Sequence, residues 1–173
     1  MGSSVIKYTI WWVICVAVQL FFLNKLNIDY FINPQFYIFF LILLPVFTER
    51  HIILLLAFAT GLTIDMFEAS GGIHAAACVI ATFFRGPILR AFAPREGYGK
   101  DDFLTIEKFG LGNFVLYAGF FILIHHWALF FIEVFSFKNF FFTLLRTISS
   151  GFVTLILITI AAMGFFAKSS GSK

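Results

Sequence analysis

The residues of this chain that are best suited to chemistry lie within long apolar runs. They include Asp65, the adjacent pair His125-His126, Glu133 and Arg146. His126 and Glu133 are seven residues apart, so they share one face of a helix. Ionisable groups in such surroundings are expensive, and each one needs a partner or a role. The roles to weigh are metal binding, catalysis and ion pairing between helices.

Metal binding and catalysis both lack a supporting pattern. His74, His125 and His126 are the imidazoles that a metal site would use together with a carboxylate, but adjacent helical residues point about 100° apart and cannot readily serve one ion. The chain has no HExxH or CxxC spacing, and no GxSxG, Walker or Ser-His-Asp arrangement. The sequence therefore predicts no metal, no cofactor and no enzymatic activity.

Asp65 admits two interpretations. It lies four residues after Gly61 and shortly before Ser70-Gly71-Gly72, which breaks the chain ahead of another apolar run that contains His74. In the structural interpretation, which we favour, its carboxylate accepts N–H bonds from the start of that next helix. In the other interpretation it contacts a ligand or a partner.

Glu133 and Arg146 flank a predicted hairpin that turns near residues 136–138. In an antiparallel pairing, Arg146 lies between the histidine pair and Glu133. We predict that Glu133 and Arg146 form an ion pair that clamps two helices together. A polar stripe continues along the second helix of the hairpin, as expected for a face packed on protein. It consists of Thr143, Thr147, Ser150 and Thr154.

The composition indicates that these groups lie in helices that span a membrane. Of 173 residues, 61% are hydrophobic and 12% are charged, and 27 are Phe, whereas soluble domains are about 25% charged. This excludes a soluble enzyme, a disordered regulator and a nucleic-acid-binding domain. The two cysteines, Cys15 and Cys78, lie in apolar runs and are interpreted as small core residues. A disulfide between them stays possible if their helices touch.

We expect one all-α domain, residues 1–173, with six transmembrane helices of suitable length. An alternative merges the second and third spans into a re-entrant hairpin. The expected spans are about 6–23, 31–47, 51–67, 72–89, 111–135 and 139–166.

The stretch 85–110 is the one sizeable loop, because Gly86-Pro87 is expected to break the fourth helix. Arg85 and Arg90 are expected to face anionic head groups. Residues 103–109 are expected to form an amphipathic surface helix with Phe103 and Ile106, and with them Phe109, toward lipid. The loop is either a positive connector or a docking surface for a cytoplasmic partner. Its candidate interaction residues are Arg90, Arg95, Glu96 and Tyr98.

The distribution of Lys and Arg orients the spans. A cytoplasmic N-terminus places two basic residues outside, Lys25 and Lys138, and leaves Arg146 within the last span. Both termini are therefore expected in the cytoplasm, with an uncleaved first span. The nine basic residues on the inside are Lys7, Arg50, Arg85, Arg90, Arg95, Lys100, Lys108, Lys168 and Lys173.

Surfaces for helix contacts are also visible. Small residues at Gly72-x-x-x-Ala76 and Ala77-x-x-x-Ala81 permit close approach on the fourth helix. They make that helix a candidate contact for a partner. The many Phe residues face either lipid or a partner's helix.

Over residues 5 to 165 the chain resembles the MreD family of bacterial rod-shape-determining membrane proteins. The order and spacing of several short motifs carry the resemblance. They are Ile32-Asn33-Pro34, Leu43-Leu44-Pro45, Gly61-Leu62-Thr63-Ile64-Asp65-Met66-Phe67, Gly72-Ile73-His74-Ala75-Ala76, Pro94-Arg95-Glu96-Gly97-Tyr98, His125-His126, Leu129-Phe130-Phe131-x-Glu133 and Thr143-Leu144-Leu145-Arg146.

The resemblance implies a non-enzymatic component of the cell-wall elongation complex in the bacterial inner membrane. It would bind MreC, a single-span protein, alongside MreB, RodA and a class B penicillin-binding protein. It further implies the six-helix fold of the substrate-binding subunits of energy-coupling-factor vitamin transporters. No catalytic residue is carried over.

Two other functions fit the sequence less well. A vitamin-binding subunit of an energy-coupling-factor transporter is the alternative, but the Ala-x-x-x-Ala motif common on the first helix of those subunits is missing, since residues 13–18 contain one alanine, Ala17. A membrane-embedded enzyme lacks any motif.

Overall fold

The computed structural model describes residues 2–25, 32–93, 104, 106–136 and 138–166. Within these ranges the regular structure is helical, with a 3₁₀ turn at Leu23–Lys25. The α-helices are α1 (Gly2–Phe21), α2 (Ile38–Leu43), α3 (Arg50–Glu68), α4 (Ile73–Ala91), α5 (Ile106–Phe109), α6 (Leu111–Val134) and α7 (Phe140–Phe166).

Among the described residues, five helices are long and apolar enough to cross a membrane: α1, α3, α4, α6 and α7. Each forms because an uninterrupted apolar run can satisfy its own backbone hydrogen bonds in lipid. The chain is accordingly a helical protein of the multi-pass membrane type. The spans predicted near 6–23, 51–67, 111–135 and 139–166 match α1, α3, α6 and α7 closely.

The second predicted span, 31–47, does not form a membrane-length helix. Its helix is α2, six residues and so about 9 Å long. Two prolines limit it, because a residue before proline favours extended backbone: Asn33 precedes Pro34, and Leu44, with ψ 146°, precedes Pro45. Residues 34–42 are all buried, so this segment runs through the interior of the protein. We call residues 32–45 the central segment.

The helices alternate in direction, with one exception. α3, α4, α6 and α7 pack as successive neighbours, and the residue contacts between them are those of antiparallel pairs. α1 and α3, however, run in the same direction. This is shown by two hydrogen bonds, from Trp12 to Thr60 and from Asn24 to Glu68, in which the residue numbers rise together. We refer to the end of the bundle with the α3–α4 turn as the Ser70 end, and to the opposite end as the Pro45 end.

α3 and α4 are in close contact at Gly61. A Cβ atom at Gly61 would lie 2.4 Å from the Cα of Ala75, so no larger residue fits. The turn between the helices uses Gly71 and Gly72 at φ 69° and 96°, a region that L-residues with a Cβ avoid.

The small residues of α4 serve this internal packing. Ala77, Cys78 and Ala81 are fully buried between α3 and α6. The expectation that Ala77 and Ala81 offer a partner contact is therefore wrong, because both side chains are fully buried within the bundle. Gly72 and Ala76, the other predicted pair, are half-buried. Cys78 and Cys15 are both free thiols.

Three expectations about the 85–110 loop are also wrong. Pro87 lies inside α4, which continues to Ala91, as happens in membrane helices where neighbours satisfy the freed backbone groups. Arg85 is 3% exposed rather than directed to head groups. Phe109 is buried, with its ring centroid 6.5 Å from that of Tyr117, rather than facing lipid.

Candidate functional site: a polar network inside the bundle

Asp65 joins the end of α3 to the start of α4. Its carboxylate accepts the backbone N–H of His74 at 3.0 Å and that of Ala75 at 2.9 Å. The Ser70 hydroxyl donates to the same carboxylate. These are the N–H bonds that the sequence predicts, and they place a negative charge at a helix N-terminus, where the helix dipole favours it. Gly72, at the N-cap position, lets the chain turn here.

His74 begins a chain of hydrogen bonds that leads inward. Its Nε2 lies 3.1 Å from a carboxylate oxygen of Glu68, whose side chain is 27% exposed. Its Nδ1 lies 2.9 Å from the Tyr37 hydroxyl, and that hydroxyl lies 2.9 Å from Nε2 of His125. Tyr37 and His125 are fully buried. The path therefore connects a partly exposed carboxylate with the centre of the bundle.

The directions of these bonds follow from the chemistry of each group. An ionised Glu68 only accepts, so Nε2 of His74 donates to it. With neutral rings, Tyr37 donates to Nδ1 of His74 and accepts from Nε2 of His125. Nδ1 of His125 is then an acceptor, and it has no partner among the described residues.

His126 points to a different neighbour. Its Nδ1 donates to the carbonyl oxygen of Ile122 at 3.0 Å, and its Nε2 lies 3.2 Å from the hydroxyl of Thr154. That hydroxyl also accepts the backbone N–H of Gln35 at 3.1 Å. The two adjacent histidines thus serve separate partners, as their divergent directions on a helix require.

Polar side chains of α1 and α7 hold the non-helical start of the central segment. The N–H of Asn33 donates to Ser150 at 3.0 Å. Gln19, fully buried on α1, donates to the carbonyl of Pro34 and accepts the N–H of Phe36 at 2.6 Å. Irregular backbone in apolar surroundings needs such partners, because an unpaired buried amide costs about 1–3 kcal/mol.

Arg85 holds the other end of the central segment. Its guanidinium donates to the carbonyl oxygens of Leu44 and Pro45 and, at 3.0 Å, to the hydroxyl of Tyr117. Tyr117 in turn donates to the carbonyl of Ile42 at 3.3 Å. The last carbonyls of α2 have no helical partner, so a cation suits this position.

The predicted Glu133–Arg146 ion pair is present between α6 and α7. The two charged atoms lie 3.0 Å apart, with side-chain exposures of 44% and 12%. Arg146 also lies over the ring of Phe130, 4.2 Å from its centroid. Because Glu133 is almost half exposed, the pair is a surface clamp rather than a buried one.

A cavity of about 270 Å³, which we call the Ser70 cavity, lies at the Ser70 end of this network. Six of the nine residues that line the cavity are polar, and they include both partners of the Glu68–His74 contact. The polar residues that line it are Asn33, Gln35, Glu68, Ser70, His74 and Glu133.

The structure separates the predicted site residues into three groups. Gly61, Asp65, Gly72 and His74 meet at the α3–α4 contact, and Glu133 pairs with Arg146 on the other side of the Ser70 cavity. His126 belongs to the interior network. The loop residues do not join them. Arg90 is exposed on the last turn of α4, and Arg95, Glu96 and Tyr98 lie outside the described residues.

Several residues of the polar network were not predicted from the sequence. Tyr37, Gln19, Gln35 and Tyr117 are all buried and all hold the central segment or the histidines. Gln19 and Gln35 carried a usable signal, since an amide inside an apolar run needs a partner. Arg85 carried the same signal, because a charged group inside an apolar run also needs a partner. It was placed in the loop because Gly86-Pro87 was expected to end the fourth helix.

No group of three or more His, Cys, Asp or Glu residues within the described part of the chain is arranged to hold a metal ion. The network instead distributes its polar atoms over backbone groups and single side-chain partners. Comparison with family models, with curated proteins and with solved structures finds no match to this chain.

Proposed function

We propose that this protein is a non-enzymatic integral component of the bacterial cell-wall elongation complex. It would bind an MreC-type single-span protein and thereby support rod shape and lateral peptidoglycan synthesis together with MreB, RodA and a class B penicillin-binding protein. The motif order described above supports this proposal. So does the polar network, because most of its bonds hold backbone in place, as expected of a rigid scaffold.

The proposal includes six crossings of the inner membrane with both termini in the cytoplasm. α1 and α3 run in the same direction, so the chain between them has to return across the bundle. Residues 32–35 are not helical and, at about 3.3 Å per extended residue, reach about 13 Å. The turn and helix at residues 36–43 add about 12 Å, so this stretch covers about 25 Å of the roughly 30 Å of a hydrocarbon core. The central segment thus supplies a broken second crossing that is shielded from lipid.

One surface is suited to the single helix of such a partner. α1 and α3 leave between them a groove of about 430 Å³, which we call the lateral groove, with Phe40 and Leu44 of the central segment at its base. Its wall includes Ala59 of α3, which is exposed and lies one turn before Thr63. Small residues four apart allow a second helix to approach closely, and packing of this kind drives association in lipid. The lateral groove is the observation that carries the proposed contact.

Bulky substitution in the lateral groove tests this assignment. We expect Ala59→Trp to abolish co-purification of the MreC-type protein, because the indole fills the space that the partner helix needs. Ile160→Trp places the same side chain on a lipid-facing position of α7, where Ile160 is 63% exposed, and should retain the partner. Retention by Ala59→Trp at wild-type yield and thermal stability contradicts the lateral groove as the contact.

A further inference from the structure

The polar groups that line the Ser70 cavity are mainly hydrogen-bond acceptors, and Ile73, Leu129 and Phe130 complete its wall. Glu68 and Glu133 contribute carboxylates, and Asn33 contributes a side-chain oxygen that already accepts from Nε2 of Gln35 at 3.1 Å. Ser70 directs its hydroxyl proton to Asp65 and so presents lone pairs. A molecule that occupies this space therefore has to bring donors.

Gln35 points to an occupant independently of the carboxylates. The residue is 1% exposed and lines the Ser70 cavity. Its amide nitrogen is bonded, but its Oε1 has no hydrogen-bond partner among the described residues. An acceptor left unpaired in the interior costs about as much as a lost hydrogen bond, so a donor at this place would be strongly held.

The charges of the Ser70 cavity favour a cation. Arg146 balances Glu133 at 3.0 Å. Glu68, by contrast, accepts from the Asn24 amide at 2.7 Å and from His74, and no Lys or Arg of the described chain pairs with it. Glu68 is therefore a carboxylate of the cavity that has no permanently charged partner among the described residues. Each oxygen of Glu68 also retains a free lone pair.

From these observations we propose that the Ser70 cavity binds a primary ammonium group, held by Glu68 and Oε1 of Gln35. A primary ammonium carries one positive charge and three N–H donors, which match the charge of Glu68 and the unpaired oxygen of Gln35. The volume of about 270 Å³ lies just below that of drug-sized ligand pockets, which run from about 300 to 1,000 Å³. It suits a compact amine, either a free one or the head group of an aminophospholipid.

Calorimetric titration of the purified full-length protein with ethanolamine tests the proposal. The protein is placed in phosphatidylglycerol nanodiscs, which contain no amine, and choline serves as the matched ligand because its quaternary ammonium has the charge without N–H donors. We expect ethanolamine to bind at least about tenfold more tightly than choline, the difference that one charge-assisted hydrogen bond provides. Equal affinities, or no ethanolamine binding in these nanodiscs, would overturn the proposal.

Two variants locate the binding. Glu68→Gln keeps the shape of the side chain but removes its charge, and should weaken ethanolamine binding about tenfold or more. Its matched control is Glu49→Gln at the Pro45 end, where Glu49 contacts His51 at the same 3.1 Å but is exposed. That control should bind as the wild type does. Gln35→Met provides a second, uncharged test that also weakens binding. Unchanged binding in both Glu68→Gln and Gln35→Met would contradict the site.

The two sources of the ammonium group are distinguished by repeating the titration in nanodiscs that contain phosphatidylethanolamine. If the lipid head group is the occupant, it competes and the apparent affinity for ethanolamine falls. Native mass spectrometry then finds the lipid retained by the wild type and lost from Glu68→Gln. If a free amine is the occupant, the affinity is the same in both lipids. Either result supports an ammonium site.

Discussion

The guanidinium Nε of Arg85 lies 3.0 Å from the hydroxyl oxygen of Tyr117, and both side chains close the end of the central segment. Arg85 reaches the carbonyls of Leu44 and Pro45, and Tyr117 reaches that of Ile42. One cation and one phenol thus satisfy carbonyls that a continuous helix would have bonded by itself. This contact makes the non-helical end of the central segment compatible with its buried, apolar surroundings.

Replacing Arg85 tests that relationship. Arg85→Ala leaves the carbonyl of Leu44 unpaired and removes one partner each from the Pro45 carbonyl and the Tyr117 hydroxyl, which keep their bonds to Thr48 and Ile42. We therefore expect a loss of about 2 kcal/mol in the free energy of unfolding. Arg85→Lys should lose less, because a single ammonium keeps part of the hydrogen bonding. The measurement is thermal or denaturant unfolding in mild detergent. Arg90→Ala, on the exposed side of the same helix, is the control, and an equal effect there would contradict the assigned role.

Asp65 should stabilise the α3–α4 junction through its charge. Asp65→Asn keeps an acceptor but loses the negative charge at the N-terminus of α4, and Asp65→Ala loses both. We expect losses of about 1 kcal/mol and about 2 kcal/mol in the free energy of unfolding. If the two variants unfold like the wild type, the contact with His74 and Ala75 contributes no stability.

The Glu133–Arg146 pair calls for a double-mutant cycle. Because Glu133 is 44% exposed, we expect a coupling energy of about 0.5–1 kcal/mol, the value typical of solvated pairs. The reciprocal exchange, Glu133→Arg with Arg146→Glu, should recover part of the stability lost in the single variants. Additive effects of Glu133→Ala and Arg146→Ala on detergent unfolding would show that the contact contributes nothing.

A His126→Ala variant distinguishes a structural role of this residue from a functional one. His126→Ala leaves Ile122 and Thr154 without their imidazole contacts, so its melting temperature should fall. The scaffold account predicts that the folded fraction still binds the MreC-type partner. A variant that folds, binds the partner and yet fails to support rod shape would indicate a functional polar site at the histidines.

Membrane orientation is tested by cysteine labelling. Cys15 and Cys78 are buried and should not react with an impermeant maleimide, so the native background is usable. Lys138→Cys should label from outside intact cells, and Thr48→Cys should label after the cells are opened. The reverse pattern would contradict the proposed topology, and labelling of both positions from outside would contradict the three crossings by α3, α4 and α6 that separate them.

The sequence predicted the contacts that short turns or hairpins enforce. Asp65 is nine residues from His74, and Glu133 is 13 from Arg146, so local geometry alone brings them together. It did not predict the contacts of Asn33 and Gln35 with Ser150 and Thr154, which are 117 and 119 residues away. Which hydroxyl meets which amide at such a separation depends on the packing of the whole bundle.

The same limit explains the second span. Its hydropathy is that of a transmembrane helix, and the two prolines that limit α2, Pro34 and Pro45, lie near the ends of the predicted span. The replacement of helical hydrogen bonds by Gln19, Arg85 and two hydroxyls of α7, however, cannot be read from the span itself. The length of the apolar runs was enough to predict the five long helices. The path of the central segment depends instead on side chains that other helices contribute.

Co-purification from native membranes tests the central claim most directly. The tagged full-length protein is extracted in mild detergent, and the proteins retained with it are identified by mass spectrometry. The account predicts an MreC-type single-span protein among them, retained with Ile160→Trp and lost with Ala59→Trp. Retention of an ATPase-coupled transporter in place of that protein would contradict the account and favour a vitamin-binding subunit.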